Sequence, residues 1–293
     1  MVKVLNYGSL NIDMTFHVPH IVLPGETLSA TAMARGAGGK GANQSAALGR
    51  AGATVFHAGK IGHDGQFLLD QLVSCGVDVR YVRVADGPSG QAIIQVDAKG
   101  QNSIVLLAGE NRQITMKEID ETLTHFDNGD WLVLQNEINH NDYLITQAHA
   151  KGMHVCLNPA PYIDSVKDLP LQCVDLLIVN EIEGQGLSGV DTQDISQIAD
   201  ALSKQYPHAE IIVTGGNKGS CYAHEKKRIL QGVVPIKVVD TTGAGDTFIG
   251  FFLASHLKGL EIEESLAKAA LASSIAISRP GAMPSIPSAS EVF

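Results

Sequence analysis

The sequence predicts an α/β fold: an open, mostly parallel sheet with helices on both faces. Three observations carry the prediction. Short apolar runs ending in polar residues alternate with stretches of helical spacing, the pattern of strands joined by crossover helices. A hydrophobic content of 44% against 18% charged residues describes a globular chain with a sizeable core. No internal repeat, low-complexity tract or long linker divides the 293 residues, so 1–293 is expected to form a single domain.

In chain order, residues 2–7 read as the first strand. Residues 14–19 and 27–35 look like a strand pair. An Ala-rich helix over 41–51, a strand over 54–60 and a helix over 66–75 follow. A second pair, 91–97 with 103–108, is joined across Ala98-Lys99-Gly100, a turn suited to a hairpin. Trp131–Gln135, His154–Asn158, Leu176–Asn180 and Glu210–Thr214 are short buried strands, and their polar ends fall where open α/β sheets place ligands. Residues 143–151 and 194–206 have helical spacing between them. The β-branched run 233–239 reads as a strand, and 248–257, apolar and free of proline, as a buried helix. The two strand pairs break the alternation: they are either a separate small sheet or extensions of the main one.

Charge and composition exclude several functions. Twenty-one basic residues against 31 acidic give a net charge of −10, which argues against general binding to nucleic acid or anionic membranes. No apolar run approaches the about 20 residues that span a bilayer. The N-terminus, Met1-Val2-Lys3-Val4-Leu5-Asn6, lacks the layout of a signal peptide, and the four cysteines form no CxxC pair. Reduced thiols in the cytoplasm are expected. The eleven histidines show no metal-ligand spacing, and His17, His57 and His63 read as surface or loop residues.

The densest chemistry lies at 240–248, Asp-Thr-Thr-Gly-Ala-Gly-Asp-Thr-Phe. Gly243 and Gly245 sit in a loop that opens a helix, where free N–H groups can face an anion. Asp246 falls in the first helical turn. A carboxylate aimed at an anion site makes sense if it takes the proton of a hydroxyl attacking that anion, as in phosphoryl transfer. The plain alternative is a Gly-rich loop with Asp246 stabilising a helix N-terminus.

Gly36-Ala37-Gly38-Gly39-Lys40-Gly41 spells the dinucleotide fingerprint GxGxxG but lacks its context. No carboxylate stands about 20 residues onward, and Gly41 occupies the place where a P-loop needs Ser or Thr for magnesium. The segment reads better as a turn into a helix that presents N–H groups and Lys40, with Asn43 on the same first turn. Asn11 and Asp13, two residues apart in an extended segment, share one face. Together they can donate to and accept from vicinal hydroxyls, or simply form a polar turn.

The 240–248 segment resembles the C-terminal signature of the phosphofructokinase-B (ribokinase-like) carbohydrate kinase family. Gly38-Gly39-Lys40-Gly41-Ala42-Asn43-Gln44 is similar to its first signature, and Gly8-Ser9-Leu10-Asn11-Ile12-Asp13 to its sugar-binding start. Asn158-Pro159-Ala160-Pro161 and Asn180-Glu181-Ile182-Glu183 match two further landmarks in the right order. The resemblance spans about residues 4–287.

It implies a ribokinase-like sheet with a small β-sheet lid, inserted at about 14–36 and 90–109, that often forms a homodimer contact. It implies ATP-dependent transfer of the γ-phosphate to a primary hydroxyl of a free sugar, with D-ribose favoured. 2-Deoxyribose, a fructose-like sugar or a nucleoside remain open. The sugar would meet Asn11, Asp13, Gly39, Lys40, Asn43, Glu137 and Asp246, although Asn136 stands at a usually apolar position. Catalysis would fall to Asp246, a carboxylate of low pKa at a helix start, and to the Gly243-Ala244-Gly245 amides. The nucleotide would use Asn180, Thr214, Gly216, Lys218, Gly219, Gly245 and Ala270. Glu183 would organise Mg2+ and its waters. K+ would lie among Asp240, Thr242, Ala276, Arg279, Gly281 and Ser285, mostly on backbone carbonyls. Two readings of other classes compete: a non-catalytic sugar- or nucleotide-sensing protein on the same fold, and a nicotinamide-dependent dehydrogenase from the GxGxxG string.

Overall fold

The computed structural model describes residues 2–293. Strands β1 (Val4–Tyr7), β2 (Asn11–His17) and β3 (Ala32–Gly38) precede α1 (Lys40–Arg50), β4 (Val55–Gly62) and α2 (Gln66–Ser74). Next come β5 (Asp78–Ala85), β6 (Gly90–Val96), β7 (Asn102–Leu107) and α3 (Met116–Leu123). The middle of the chain forms β8 (Trp131–Gln135), α4 (Asn141–Ala150), β9 (His154–Asn158), β10 (Leu176–Asn180), α5 (Glu181–Ser188) and α6 (Ile195–Gln205). It ends with β11 (Glu210–Thr214), β12 (Ser220–His224), β13 (Lys227–Gln231), α7 (Ala244–Leu257), α8 (Ile262–Ile277) and α9 (Ala289–Val292).

Nine strands make one sheet in the order β13-β12-β11-β10-β9-β8-β1-β4-β5. From β11 to β5 every neighbour is parallel, and β12 and β13 add an antiparallel edge. Successive side chains along a strand face opposite sides, so each strand feeds two cores. In β10, Leu176 and Ile178 join the core under α1, α2, α7 and α8; Leu177 and Val179 join the core under α3 to α6. Helix α7 is buried over ten consecutive residues, Asp246 to Ser255, which explains why its sequence is apolar all round.

The chain runs β1, β4, β5 toward one edge, then returns to β8 beside β1 and proceeds the other way. That reversal between β1 and β8 is the topological switch point, and a crevice opens beyond the strand ends there. Ser9 and Glu137 lie just past β1 and β8, and Ser9 is fully buried there.

The two strand pairs form a separate four-stranded sheet, β3-β2-β6-β7, not extensions of the main one. The first pair is displaced from its expected position: β3 covers Ala32–Gly38, so 27–31 carries no strand. The expected strand over 233–239 is absent. The sheet edge is already occupied by β13, Pro235 has no N–H to give a ladder, and Val239 donates instead to the Ile277 carbonyl of α8. His57 is also corrected: it is fully buried on β4, bonded to Ser45, and burial pushes its pKa down to about 4.

Candidate active site

Helix α1 starts immediately after β3 because Gly39 adopts a left-handed φ of 92°, and a side chain there would press on the Ser9 carbonyl. The first three residues of the glycine string lie inside β3 itself, and β3 and β4 belong to different sheets. No βαβ unit exists around it, which removes the dinucleotide reading. The first turn of α1 lies against Gly8 and Ser9 at the end of β1, bringing Lys40 to the crevice.

Glu137 ties this corner together. Its carboxylate accepts from the Ser9 hydroxyl and, at 3.0 Å, from the Lys40 N–H. Asp13 sits close enough to Glu137 for the like charge to act on it. Burial, and then Glu137, push the Asp13 carboxyl up to about 6. Asn11 is aligned by a residue that sequence reading missed. The Asn111 amide donates to Asn11 Oδ1 at 2.7 Å and to the Leu10 carbonyl, and accepts from the Leu10 N–H. With its oxygen engaged, Asn11 has its NH2 group left to donate.

Asp246 reaches this cluster from the opposite side. Gly243, in the left-handed region at φ 73°, starts α7. The first-turn N–H groups of a helix have no intrahelical acceptor, and Gly243, Ala244, Gly245 and Asp246 line a cavity of about 250 Å³. Lys40, Asn158, Asn180 and Glu183 complete its polar wall. Each carboxylate oxygen of Asp246 accepts one amide: Oδ1 from Gln44 at 3.0 Å and Oδ2 from Asn43 at 3.1 Å.

The low pKa expected for Asp246 is overturned. Burial raises it, and the counteracting Lys40 ammonium and the Gln44 and Asn43 amides do not restore the ordinary value. A helix start alone would favour the carboxylate, but the group is only 8% exposed, and desolvation wins. Lys40 is shared among three carboxylates. Burial opposes its charge, but Asp246, Glu137 and Glu183 together raise its pKa.

A second cavity of about 460 Å³ adjoins the first and shares Thr214, Thr241, Ala244 and Gly245 with it. Gly216, Gly219 and Ala270 lie on its wall, with Val234, Ile236, Phe248 and Ile277 forming an apolar slot. The displaced 233–239 segment is thus one side of this slot. Lys218 lines neither cavity. Its ammonium pairs with Glu181 and donates to the Gln193 carbonyl at 3.0 Å.

Glu183 has two roles in the structure. It closes the capping box of α5, accepting from the Asn180 N–H at 2.9 Å, and it faces the smaller cavity. Burial pushes its pKa up against the Asn180 bond and Lys40. Among the described residues no group of three or more His, Cys, Asp and Glu could hold a metal. A magnesium ion fits only if phosphate oxygens and water supply most of its shell, with Glu183 reaching it through water. Of the residues matched to a monovalent cation, Asp240 joins two loops: Oδ1 accepts from Thr242, and Oδ2 from the Gly281 N–H at 2.9 Å. The Ala276 carbonyl accepts from the Arg279 N–H, the Arg279 side chain pairs with Glu291, and Ser285 donates to the Ala282 carbonyl.

Polar donors and acceptors beside Asp246 and a helix start lining the adjoining cavity are groups that a phosphotransferase to a carbohydrate could use. Comparison with known proteins decides the family: the family model for "pfkB family carbohydrate kinase" matches residues 1–289. The chain belongs to the pfkB family of carbohydrate kinases. It is 35% identical to a ribokinase of Bacillus subtilis, over 97% of this chain and 96% of that one. It is 32% identical to a deoxyribokinase of Salmonella typhi, over 96% and 94%. Among solved structures, the ribokinase of Arabidopsis thaliana complexed with ribose and ATP superposes with a TM-score of 0.88 at 32% identity, covering 99% and 97%.

Gln44, Asn158 and Ser9 lie inside segments whose resemblance was recognised, yet sequence reading gave them no role. The signal available was polarity in the wrong place. Gln44 interrupts an Ala-rich helix and Gln135 ends an apolar strand, and both are fully buried. A buried amide needs partners, so such residues point to a polar network even before its members are known.

Proposed function

We propose that the protein phosphorylates D-ribose at its 5-hydroxyl, using ATP. One observation carries the reading: Asp246 is bonded to Asn43 beside the hydroxyl-binding cluster while its helix start lines the adjoining anion cavity. In the reaction the sugar 5-oxygen attacks the γ-phosphorus. Its proton passes to Asp246, the bond from γ-phosphorus to the bridging oxygen breaks, and ADP leaves. Asn11, Asp13 and Glu137 orient the sugar hydroxyls, and Lys40 and the Gly243-Ala244-Gly245 amides stabilise charge on the transferring group. The apolar slot beside Ala270 takes the adenine. Glu183 would hold magnesium through water, and the ion would supply neutralisation of the phosphate charge. Potassium held by the Asp240 and 276–285 loops would fix the anion loop's shape without touching the reaction.

The four-stranded sheet, carrying Asn11 and Asp13, acts as a lid that keeps water from the phosphoryl group. Its edge strand β7 exposes Ile104, Val105, Leu106 and Leu107 on both faces, and we assign this surface to a homodimer. Val105→Lys with Leu107→Lys should then give monomer by sedimentation. A cytoplasmic location agrees with four free cysteines.

The test is product analysis. With ATP and a panel of pentoses, hexoses and nucleosides, ribose 5-phosphate and ADP should form in equal amounts, fastest with ribose. 2-Deoxyribose is the second reading, because the deoxyribokinase relative is about as similar as the ribokinases. Adenosine turning over as fast as ribose would contradict the sugar assignment.

A further inference from the structure

Gln44 is fully buried in the middle of the polar network behind the site. Its orientation is fixed by its neighbours. Oε1 accepts from Gln135 Nε2 at 2.7 Å, and that same nitrogen donates to Asn6 Oδ1 at 3.1 Å. Asn6 in turn donates to the Gly41 carbonyl at 2.9 Å. The Gln44 NH2 group must therefore point the other way, and it donates twice: to Asp246 Oδ1 at 3.0 Å and to Asn158 Oδ1 at 3.1 Å. Asn158 passes the link on, donating to the Ile178 carbonyl at 3.0 Å and to Glu183 Oε2 at 3.4 Å. A single line of amides thus runs from the ends of β1 and β8 through α1 to the carboxylates on α7 and α5.

We propose that Gln44 is a positioning residue for phosphoryl transfer: it fixes the plane of the Asp246 carboxylate and sets Asp246 and Glu183 in one rigid frame. Asn43 holds the other Asp246 oxygen from the substrate side, at 3.1 Å. Two amides, one on each oxygen, leave the carboxylate no freedom to rotate, and each oxygen keeps a lone pair for the incoming proton. Without Gln44 the carboxylate keeps its charge and its place on α7 but loses its angle. Proton transfer is steep in geometry, so the loss should fall on turnover and not on substrate binding. The inference rests on the reading of Asp246 as the proton acceptor.

Gln44→Met keeps the length and volume of the side chain and removes both donors. Its kcat should fall about 10- to 100-fold, with KM for ribose and for ATP within about threefold of the parent. The decisive comparison is the same substitution in an Asp246→Asn background. A residue that acts by aiming Asp246 has nothing left to aim, so the double variant should turn over no more slowly than Asp246→Asn alone. An equal further loss in that background, or a kcat within threefold of the parent in folded Gln44→Met, overturns the proposal. Retained activity in Asp246→Asn itself would instead overturn the underlying role of Asp246, so the two failures are distinct.

Should Gln44→Met not fold, Gln44→Glu keeps the shape. An ionised Glu at 44 cannot donate to Asp246, whereas a protonated one can, so its kcat relative to the parent should fall as pH rises from about 5.5 to 8. The charged groups around Asp246 are Lys40 from α1, Glu137 beyond β8 and Glu183 from α5; all are common to both proteins, so the ratio isolates position 44. A ratio that does not change with pH overturns the proposal.

Discussion

Gly250 on α7 lies directly against Ala47 on α1: a side-chain carbon built at Gly250 would sit 2.4 Å from the Ala47 methyl. One turn nearer the site on each helix, the next pair is Asp246 and Asn43, bonded at 3.1 Å. The close approach of the two helices is thus what places the carboxylate against its amide partner.

Gly250→Ala separates helix propensity from packing. Propensity alone favours alanine by roughly 1 kcal/mol in a helix interior. Here the added carbon would also meet the Ala47 and Leu48 backbone at 2.9 Å, and overpacking of this kind costs about 1–3 kcal/mol. Thermal denaturation should show a lower Tm, and kcat should fall as α7 moves off α1. A raised Tm with unchanged kcat would show that the contact is easily relieved.

Acid should silence the sugar site before it unfolds the protein. Asp13, pushed up to about 6 by burial and Glu137, offers sugar hydroxyls two charged acceptor oxygens only when ionised. The value of kcat/KM for ribose should therefore drop as pH falls through about 6. The stability sign is opposite. A raised carboxyl binds its proton more tightly folded than unfolded, so its stabilising share is complete below the unfolded value of about 3.9 and is lost as pH rises through about 6. In the absence of sugar, Asp13→Asn should flatten the dependence of Tm on pH in that window. A kcat/KM unchanged between pH 7.5 and 5 would contradict the assignment.

Lys218 separates resemblance from geometry. The resemblance puts it on the nucleotide, but its ammonium is engaged by Glu181 and the Gln193 carbonyl. Lys218→Ala should leave KM for ATP within about threefold, as expected for a half-exposed ion pair worth under about 1 kcal/mol. A tenfold rise in KM would mean that the side chain swings to the phosphates when ATP binds.

The sequence made the parallel sheet legible because the strand interiors are buried on both faces and therefore apolar, as over 176–179 and 211–213. It was misleading at 233–239, where the same β-branched residues serve as one wall of the apolar cavity. Apolar character reports burial against something, and a ligand slot satisfies it as well as a sheet. At the site, motif segments named Asp246, Asn43 and Lys40, whose neighbours lie in sequence or in an ordered signature. Asn111 gave no signal because its partner Asn11 lies 100 residues away, and Gln135 signalled only that some partner exists, not that it is Asn6, 129 residues away. The pKa of Asp246 was misjudged for a related reason: its helix position is local, while its desolvation depends on everything packed around it.

The cation proposal has its own control. If Asp240 and the 276–285 segment hold potassium, replacing sodium by potassium at constant ionic strength should raise the rate, since the loop from Thr242 to Gly245 would then be fixed in shape. Constant ionic strength removes general screening as an explanation. Equal rates would mean that the bonds from Asp240 to Thr242 and Gly281 already hold the loop.

The account stands on Asp246 as the proton acceptor, and the most direct measurement is the kcat of Asp246→Asn with ribose and ATP. Asparagine keeps the size, and its single oxygen can still accept one of the two amides, from Gln44 or from Asn43, but it cannot take the proton. With the fold and ATP affinity close to the parent, kcat should fall by roughly 10²–10⁴, the usual contribution of a positioned base. Asp70→Asn, an exposed carboxylate on α2, should leave turnover nearly unchanged in the same assay. Folded Asp246→Asn protein that phosphorylates ribose within a few-fold of the parent would contradict the account and leave 240–248 as an anion-binding loop.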